Sequence, residues 1–326
     1  MSTEKKIDVT ALGELLIDFT ESGLSPQGNK LLEVNPGGAP CNVLAMLNKQ
    51  GRKAAFLGKV GDDMFGRMLK ARTIEQGIDM TGLMMDEEVH TTLAFVEKLP
   101  NGDRDFSFYR NPGADIMLTK DEVIANKALI EDAKIFHFGT LSMTHEGIEA
   151  ATIEALDIAK ASGAIISFDP NLRPPLWSSE EKAKEKIAYG LSRCDVLKIS
   201  DNEIEFLTGT DDFDRGVGII REKWPGIRLI NVTAGPDGSY AYAPDAKAFV
   251  PAFLLGGTIE TTGAGDTFCA SVLNFILERG LDGLGQDDLK QMLRFANAAA
   301  YLVTTKKGAI RSMPERAQVE AILNEH

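Results

Sequence analysis

Strand-length apolar runs alternate with segments of helical periodicity along most of this chain of 326 residues. The apolar runs cover residues 7–13, 53–60, 135–138, 164–169, 196–200 and 228–233, and helices are predicted between them over residues 42–50, 64–76, 145–162 and 179–191. Strands that alternate with helices are joined by right-handed crossovers. We therefore expect an α/β fold with a mostly parallel central sheet and helices on both faces. Ligands of such sheets bind at the carboxyl ends of the strands.

Two β-rich segments interrupt this alternation. They cover roughly residues 15–34 and 91–112, and the second is predicted to be a hairpin that turns at residues 99–103. We expect them to form a small sheet added to a single domain of residues 1–326, because no segment resembles an interdomain linker. A small sheet beside a cleft is a candidate lid. Its exposed edge predicts a homodimer through the lid.

The composition argues against several classes of partner. The chain carries 35 basic and 48 acidic residues, a formal net charge of −13, so bulk electrostatics disfavour nucleic acid and an anionic membrane. The three cysteines are far apart and no two of the four histidines stand at ligand spacing, so we expect no zinc site and a reduced compartment. The first residues lead into a strand-like run and not into a long hydrophobic stretch, and we expect a cytoplasmic protein.

The segment of residues 260–268 joins a backbone suited to bind an anion with a carboxylate suited to accept a proton. We expect this segment, like the other glycine and carboxylate motifs, to follow a strand. Gly263 and Gly265 allow successive N–H groups to point at one spot, and residues 268–277 are predicted to form a helix whose positive end faces that spot. Asp266 then lies within reach of an attacking hydroxyl and of a phosphate. The alternative is a plain glycine turn capped by an aspartate.

Two polar features near the N-terminus suit a ligand rich in hydroxyl groups. Gly37 and Gly38 precede a predicted helix and let the backbone approach a ligand, while Asn42 offers a donor and an acceptor. A strand-to-helix turn with an asparagine cap explains the same residues. Asp18 stands in an apolar run, where a buried carboxylate needs hydrogen bonds; its alternative is an exposed aspartate at the end of a strand.

Two arginines follow predicted strands. Arg110 shares one face of a strand with Phe106, and a cation beside aromatic rings can hold an oxygen-rich substrate. The alternative is a solvated surface arginine. Arg173 lies in a loop stiffened by prolines and can donate two hydrogen bonds to a substrate or a phosphate, whereas Asp169 and Asn171 are interpreted as turn residues.

Two further turns follow predicted strands. Ser200 and Glu203 place a carboxylate at the edge of the sheet, where it can hold a hydrated Mg²⁺ ion through water. They also match the capping box of a helix, and we expect both roles. Residues 233–238 form a glycine-rich turn suited to the phosphate or ribose of a nucleotide, although such turns are also common in plain hairpins.

Together these segments resemble the ribokinase-like (PfkB) sugar kinases over nearly the whole chain. Residues 37–42 resemble the family's first signature, and residues 262–266 resemble its second. Residues 108–115 and 169–177 are similar to the corresponding segments of fructokinases. The resemblance implies transfer of the γ-phosphoryl group of ATP to the 6-hydroxyl of D-fructose, with ATP and Mg²⁺ bound by the enzyme.

The resemblance also implies roles for individual residues. Asp266 is implied as the general base, beside an anion hole formed by the amides of Gly263, Ala264 and Gly265. Glu203 is implied to support Mg²⁺ through water. The residues implied to bind the sugar are Asp18, Gly37, Gly38, Asn42, Arg110 and Arg173. The residues implied to line the nucleotide site are Thr233, Gly235, Gly238 and Asn297.

A monovalent cation, K⁺, is a further feature that the resemblance raises. The positions that match its site are Glu260, Thr262, Val303, Gly308 and Ser312. Family members often carry aspartate where Glu260 stands and asparagine where Ser200 stands. Activation by K⁺ and an indirect metal role for Ser200 are therefore left open.

Three alternatives to fructose phosphorylation are open. A 2-keto-3-deoxygluconate kinase is one, since two arginines can bind the carboxylate of an acid sugar, and another PfkB sugar or nucleoside kinase is the second. The third, from a different class, is a regulator that binds sugar or nucleotide without catalysis. The intact segment of residues 263–266 favours an enzyme over a regulator.

Overall fold

The structure, a computed structural model, describes residues 5–98 and 104–326. The strands, in chain order, are β1 (Ile7–Leu12), β2 (Leu16–Leu24), β3 (Lys30–Gly37), β4 (Ala54–Gly61), β5 (Asp79–Asp86), β6 (Leu93–Lys98), β7 (Arg104–Tyr109), β8 (Ala133–Gly139), β9 (Ile165–Asp169), β10 (Val196–Ser200), β11 (Leu229–Thr233), β12 (Ser239–Tyr242) and β13 (Lys247–Val250). The helices are α1 (Ala39–Lys49), α2 (Met64–Glu75), α3 (Lys120–Ala125), α4 (Ala128–Glu131), α5 (Glu146–Ala161), α6 (Glu180–Arg193), α7 (Asp201–Thr208), α8 (Phe213–Lys223), α9 (Ala264–Arg279), α10 (Gln286–Thr304) and α11 (Arg316–Glu325). Within the described residues, no helix has the length and apolar character needed to cross a membrane.

Nine strands form the central sheet in the order β13-β12-β11-β10-β9-β8-β1-β4-β5. The strands from β11 to β5 all pair in parallel, and β12 and β13 add an antiparallel edge. The prediction of a mostly parallel sheet is therefore confirmed. Because parallel strands point the same way, Asp169, Ser200 and Thr233 meet at one edge of the sheet, at the carboxyl ends of their strands.

Alternate side chains of the strands enter two hydrophobic cores, one on each face of the central sheet. In β1, Val9 and Ala11 belong to the first core and Leu12 belongs to the second. Helices α1, α9 and α10 pack into the first core, and helices α5 and α6 pack into the second. This arrangement confirms the prediction that helices cover both faces, and it explains why the strands are apolar on both sides.

The face of the sheet that α9 covers also carries buried polar side chains. The parallel register pairs His137 with Ser167. The register of β9 with β10 pairs Val196 with Ser167, and its continuation brings Lys198 beside Asp169. These polar residues lie next to the start of α9, so the register of the sheet positions charged groups beneath that helix.

Strands β2, β3, β6 and β7 form a separate four-stranded small sheet in the order β3-β2-β6-β7. The small sheet predicted from the two β-rich segments is thus confirmed. Strands β6 and β7 pair antiparallel from Leu93 opposite Tyr109, and their predicted turn at residues 99–103 lies outside the described residues. The rings of Phe19 and Phe95 stack across this sheet with centroids 4.8 Å apart.

Three local predictions were wrong. Helix α1 begins at Ala39, and no side chain caps it, so Asn42 lies inside the helix and is not its cap; Pro40 favours the earlier start because its fixed φ suits the first turn. Helix α9 begins at Ala264 and not at residue 268. The motif of residues 260–266 does not directly follow a strand, because residues 251–263 form neither strand nor helix.

Candidate active site

Helix α9 starts from a tight glycine turn. Gly263, at its N-cap, has a φ of 81°, a left-handed conformation that favours glycine. A Cβ atom on Gly263 would lie 2.8 Å from the Cβ of Ala309, so a larger residue does not fit. The N–H of Ala264 donates to the carbonyl oxygen of Thr261 at 3.2 Å; one of the three amides expected to form the anion hole is thus engaged in the turn. The first amides of a helix lack partners within it, which suits an anion.

Asp266 lies in the first turn of α9 and contacts α1. The Nδ2 of Asn42 donates a hydrogen bond of 2.7 Å to the Oδ2 of Asp266. Burial raises the pKa of Asp266 above its ordinary value, while the hydrogen bond from Asn42 and the charges of Lys198 and Arg173 act in the opposite direction. Because burial prevails, this carboxylate accepts a proton more readily than an exposed aspartate does.

The second polar atom of Asn42 is its amide oxygen, Oδ1. Its Oδ1 is buried and has no hydrogen-bond partner among the described residues. An unsatisfied buried acceptor is costly, and a hydroxyl group of a ligand would satisfy it. Nearby, a Cβ atom on Gly37 would overlap the carboxylate of Asp18, and one on Gly38 would overlap the carbonyl oxygen of Glu14. The two glycines therefore permit a close approach of backbone and side chains on the sugar side of the predicted site.

Arg110 is held in a buried network behind the small sheet. Only 4% of the residue is exposed, which excludes the alternative of a solvated surface arginine. Its Nη2 lies 2.6 Å from the Oδ2 of Asp115 and donates to the carbonyl oxygen of Leu141 at 2.8 Å. Its Nη1 donates to the Oγ1 of Thr144 at 3.0 Å. Most of its donors are engaged within the protein, so Arg110 joins the end of β7 to the segment after β8.

Arg173 lies between the small sheet and the start of α9. Its guanidinium carbon is 5.9 Å from the centroid of the Phe106 ring, a cation–π contact that links the loop after β9 to β7. Its positive charge opposes the effect of burial on the pKa of Asp266. The structure therefore brings the charge of Arg173 within reach of Asp266, the predicted general base.

A buried ion pair, which sequence reasoning missed, lies beneath this region. The Nζ of Lys198 is 3.1 Å from the Oδ2 of Asp169 and 3.3 Å from its Oδ1. Burial raises the pKa of Asp169 to about 6; the charge of Lys198 lowers it, and the charges of Glu203 and Asp266 raise it further. The sequence contained one signal for this ion pair, because a lysine stands at the centre of the apolar run that forms β10.

Glu203 performs the capping role predicted for it. Its Oε2 accepts the N–H of Ser200 at 2.8 Å, and the hydroxyl of Ser200 accepts the N–H of Glu203. Its Oε1 accepts the N–H of Leu172 at 2.7 Å. Both oxygens are thus bound to backbone, which leaves only their remaining lone pairs for the water shell of a metal ion.

A cleft of about 460 Å³ lies on the other side of the start of α9. The four residues predicted to line the nucleotide site all line this cleft: Thr233, Gly235, Gly238 and Asn297. Ala264 and Gly265 line it as well. The amide of Asn297 donates to the carbonyl oxygens of Val250 and Pro251 at 3.0 and 3.1 Å, so this side chain holds the wall of the cleft. The turn after β11 is also a hairpin, since β12 returns antiparallel.

The residues matched to the cation site lie in two adjoining segments. Glu260 accepts the hydroxyl of Thr262 at 2.7 Å and the N–H of Gly308 at 3.0 Å. Ser312 donates its hydroxyl to the carbonyl oxygen of Lys307. Val303 is fully buried near the end of α10. Within the described residues, no group of three or more histidines, cysteines or carboxylates is placed to hold a metal ion.

Two more titratable residues near the site were not predicted from the sequence. Burial raises the pKa of Glu14 to about 7, and its Oε1 accepts the N–H of Ala39 at 2.9 Å. Burial lowers the pKa of His137 to about 3, and the charge of Lys198 adds to this effect. Both line a narrow cavity together with Asp169 and Asn171, and Ala39 and Pro40 at the start of α1 line the same cavity.

A parallel sheet with a cleft at its carboxyl edge, and a glycine-rich helix start beside a carboxylate, define an α/β phosphotransferase of the ribokinase-like type. The sequence pattern of the pfkB family carbohydrate kinases matches residues 6–316. The chain therefore belongs to this family, and it is an ATP-dependent sugar kinase with an alcohol group as acceptor.

Relatives and solved structures agree with this assignment. "Probable fructokinase-2" of Arabidopsis thaliana is 41% identical over 97% of this chain and 95% of its own length. The fructokinase of Xylella fastidiosa with bound ATP superposes with a TM-score of 0.87 at 32% identity and covers 99% of both chains. A fructokinase double mutant of Vibrio cholerae O395, with fructose, ADP and a potassium ion bound, has a TM-score of 0.84 at 27% identity and covers 98% of this chain and 99% of its own.

Proposed function

We propose that this kinase phosphorylates D-fructose at its 6-hydroxyl, with Asp266 as general base. The hydroxyl oxygen forms a bond to the γ-phosphorus while the bond between that phosphorus and the β,γ-bridging oxygen breaks. The hydroxyl proton passes to the carboxylate of Asp266, and ADP leaves with the electron pair. The similarity to fructokinases at about 40% identity supports fructose as the acceptor.

The contact between Asp266 and Asn42 is the observation that carries this proposal. Asp266 stands at the first turn of α9, whose neighbouring residues Ala264 and Gly265 line the nucleotide cleft. Asn42, at 2.7 Å, belongs to the helix that follows Gly37 and Gly38. One carboxylate therefore lies where a nucleotide cleft and a hydroxyl-binding surface meet, which is the position that a base in phosphoryl transfer needs.

The other site residues divide between the two substrates. Asp18, Gly37, Gly38, Asn42 and Arg173 are proposed to bind sugar hydroxyls, and Arg110 is proposed to support them through its network with Asp115. The amides of Gly263, Ala264 and Gly265 are proposed to stabilise the charge on the transferred phosphoryl group, with the N–H of Ala264 leaving the carbonyl oxygen of Thr261 to donate to that group. Loss of a single donor of this kind typically costs about 10²–10³-fold in kcat.

Mg²⁺ is proposed to accompany ATP. Among the described residues that line the cleft there is no carboxylate, and this fits an ion that is bound mainly by nucleotide phosphates and water. Glu203 would accept hydrogen bonds from that water shell with the carboxylate lone pairs that do not already bind the N–H groups of Ser200 and Leu172. When bound, Mg²⁺ neutralises charge on the phosphates. A loss of turnover on chelation that Mg²⁺ reverses would support the proposal, and full turnover in chelator would contradict it.

K⁺ is proposed as an activator bound between residues 260–262 and 303–312. The Vibrio cholerae structure contains a potassium ion, and in this chain Glu260 already contacts both Thr262 and Gly308. The carboxylate of Glu260 is engaged by these contacts, so a cation has to share it. Turnover measured with K⁺ and with tetramethylammonium at equal ionic strength tests the proposal, and equal rates would contradict it.

The role of Asp266 is tested by Asp266→Asn. We expect kcat to fall by about 10²–10⁴-fold, because a general base contributes on this scale, while fructose binding survives. Asp195→Asn is the matched control: Asp195 lies at the opposite end of the sheet, where its Oδ2 accepts the N–H of Ile166 at 2.8 Å. Near-normal turnover of Asp266→Asn would refute the assignment.

The acceptor is tested by ADP release across fructose, 2-keto-3-deoxygluconate, ribose and adenosine. We expect the highest kcat/KM with fructose. Preference for 2-keto-3-deoxygluconate would favour the acid-sugar kinase, although the engagement of Arg110 by Asp115 removes one of the two arginines expected to bind a carboxylate. Preference for ribose or adenosine would indicate another PfkB kinase. Binding without ADP release from any acceptor would indicate a regulator.

A homodimer through the small sheet and a cytoplasmic location are also proposed. Leu31, Leu32 and Val34 on the edge strand β3 are 46%, 43% and 37% exposed, and contact with a second copy would bury them. Light scattering after gel filtration tests the dimer, and a monomer at micromolar concentration would contradict it.

The proposed cytoplasmic location rests on the three cysteines, which are free and buried and favour a reducing compartment. Cell fractionation tests the location.

A further inference from the structure

Lys198 is a buried lysine, and a contribution to the stability of the fold does not by itself explain its position. Only 8% of it is exposed, and lysine is almost never buried unless it is paired. Its partner is Asp169 on the neighbouring strand, at 3.1 Å. A buried ion pair stabilises a protein little more than two apolar residues of similar size would, because both charges lose their hydration. The pair therefore invites a functional explanation.

The ammonium group lies directly beneath the turn that starts α9. A Cβ atom on Gly265 would stand 3.3 Å from the Nζ of Lys198. Burial lowers the pKa of Lys198, but the charges of Asp169, Glu203 and Asp266 outweigh it and raise the pKa above the ordinary value. Lys198 is thus a fixed cation, placed under the backbone that faces the nucleotide phosphates and among three carboxylates.

Asp169 connects Lys198 to the loop on the proposed sugar side of the site. Its Oδ1 accepts the N–H of Asn171 at 3.1 Å. Asn171 has a φ of 45°, a left-handed conformation that costs energy for a residue other than glycine and persists where neighbours hold it. Two residues further on, Arg173 approaches Asp266. The chain of contacts from Lys198 therefore reaches the loop that carries Arg173.

We propose that Lys198 is a positioning residue for phosphoryl transfer, which holds Asp169 and the loop of residues 170–173 in place and supplies positive charge beneath the start of α9. This inference rests on the proposed function and deepens it. In this proposal Lys198 contacts neither substrate. It acts by holding Asp169, and by the electrostatic field of its ammonium group on Asp266 and on the phosphate that binds at the start of α9.

The test compares Lys198→Met with Lys186→Met. Lys186 is a matched control because it is also buried, at 7% exposure, and its Nζ pairs with Glu149 at 2.5 Å on helices of the opposite face. We expect kcat of Lys198→Met to fall about 10²-fold and the fructose KM to rise, while ATP binding stays within about threefold. Lys186→Met should keep wild-type kinetics. The inference would be overturned by a kcat of Lys198→Met within about threefold of that of the control. It would also be overturned by a loss of ATP affinity as large as the loss of kcat.

A double variant keeps the inference testable if Lys198→Met folds poorly. Lys198→Met combined with Asp169→Leu replaces both charges by apolar groups, which usually preserves stability. A structural ion pair predicts that stability and turnover both return. The positioning role predicts that the melting temperature returns to within about 4 °C of wild type while kcat stays low, and recovery of both would overturn it. A wild type that phosphorylates no sugar would instead refute the proposed function, before any variant is compared.

Discussion

On the proposed role of Asp266 as general base, the hydrogen bond from Asn42 is expected to set how far into acid the enzyme remains active. Asn42→Leu keeps the shape of the side chain and removes the donor that lies 2.7 Å from the carboxylate. A hydrogen bond to a charged group contributes about 1.5–3 kcal/mol, and one pKa unit corresponds to about 1.36 kcal/mol. Without the donor, the ionised form of Asp266 is less stable. The acid limb of the activity profile should therefore move to higher pH by about 1–2 units.

The assay is kcat/KM for fructose between about pH 4 and pH 9, since this ratio reports the ionisation of the free enzyme. The sign follows from the role proposed for Asp266: a general base works only when it is ionised, so a higher pKa removes activity from the acid side first. Gln50→Met is the matched control, because Gln50 is a buried amide at the end of the same helix and, among the described residues, donates to the hydroxyl of Ser271 and to no carboxylate. Its profile should match that of the wild type.

The outcome for stability separates this effect from damage to the fold. Asn42→Leu removes the unsatisfied Oδ1 and introduces a better helix former, but it also leaves the buried carboxylate of Asp266 without its donor, so the free energy of unfolding at neutral pH should fall by no more than about 1.5–3 kcal/mol. Fructose KM should rise, because a proposed sugar contact is lost. An acid limb that stays within about 0.3 units of the wild type, in a variant that folds normally, would refute the reasoning about Asp266.

Two further predictions concern stability. Gly38→Ala should lower the free energy of unfolding by about 1–3 kcal/mol, because Gly38 has a φ of 116° and a Cβ atom would overlap the carbonyl oxygen of Glu14; a loss below about 0.5 kcal/mol in urea unfolding would contradict this. His137 has its pKa lowered to about 3 by burial from an ordinary 6.5, so the unfolded chain binds the proton first and stability is lost as pH falls from 6.5 towards 3. Between pH 6.5 and pH 5 the loss should be about 1.6 kcal/mol. The difference between wild type and His137→Asn in urea unfolding isolates this loss, and equal slopes of stability against pH would show that His137 does not titrate in this way.

Local patterns in the sequence determined most of the architecture. The apolar runs predicted β1, β4 and β8 to β11 within a few residues, because a strand buried on both faces of a parallel sheet has to be apolar throughout. The capping box of Ser200 and Glu203 was also predicted, since its two hydrogen bonds span three residues and depend on nothing distant. The glycine pattern of residues 263–266 marked a helix start for the same reason.

The tertiary structure decided which of these groups meet. Asn42 and Asp266 are 224 positions apart, and Lys198 and Asp169 are 29 apart. Their contacts follow from the order and register of strands and from the packing of α1 against α9, which no local pattern records. Arg110 shows the difference clearly: the sequence placed it on a face with Phe106, but only the folded chain supplies Asp115, Leu141 and Thr144 as its partners. Backbone geometry is set by neighbours in the chain, whereas burial, charge and pKa are set by neighbours in space.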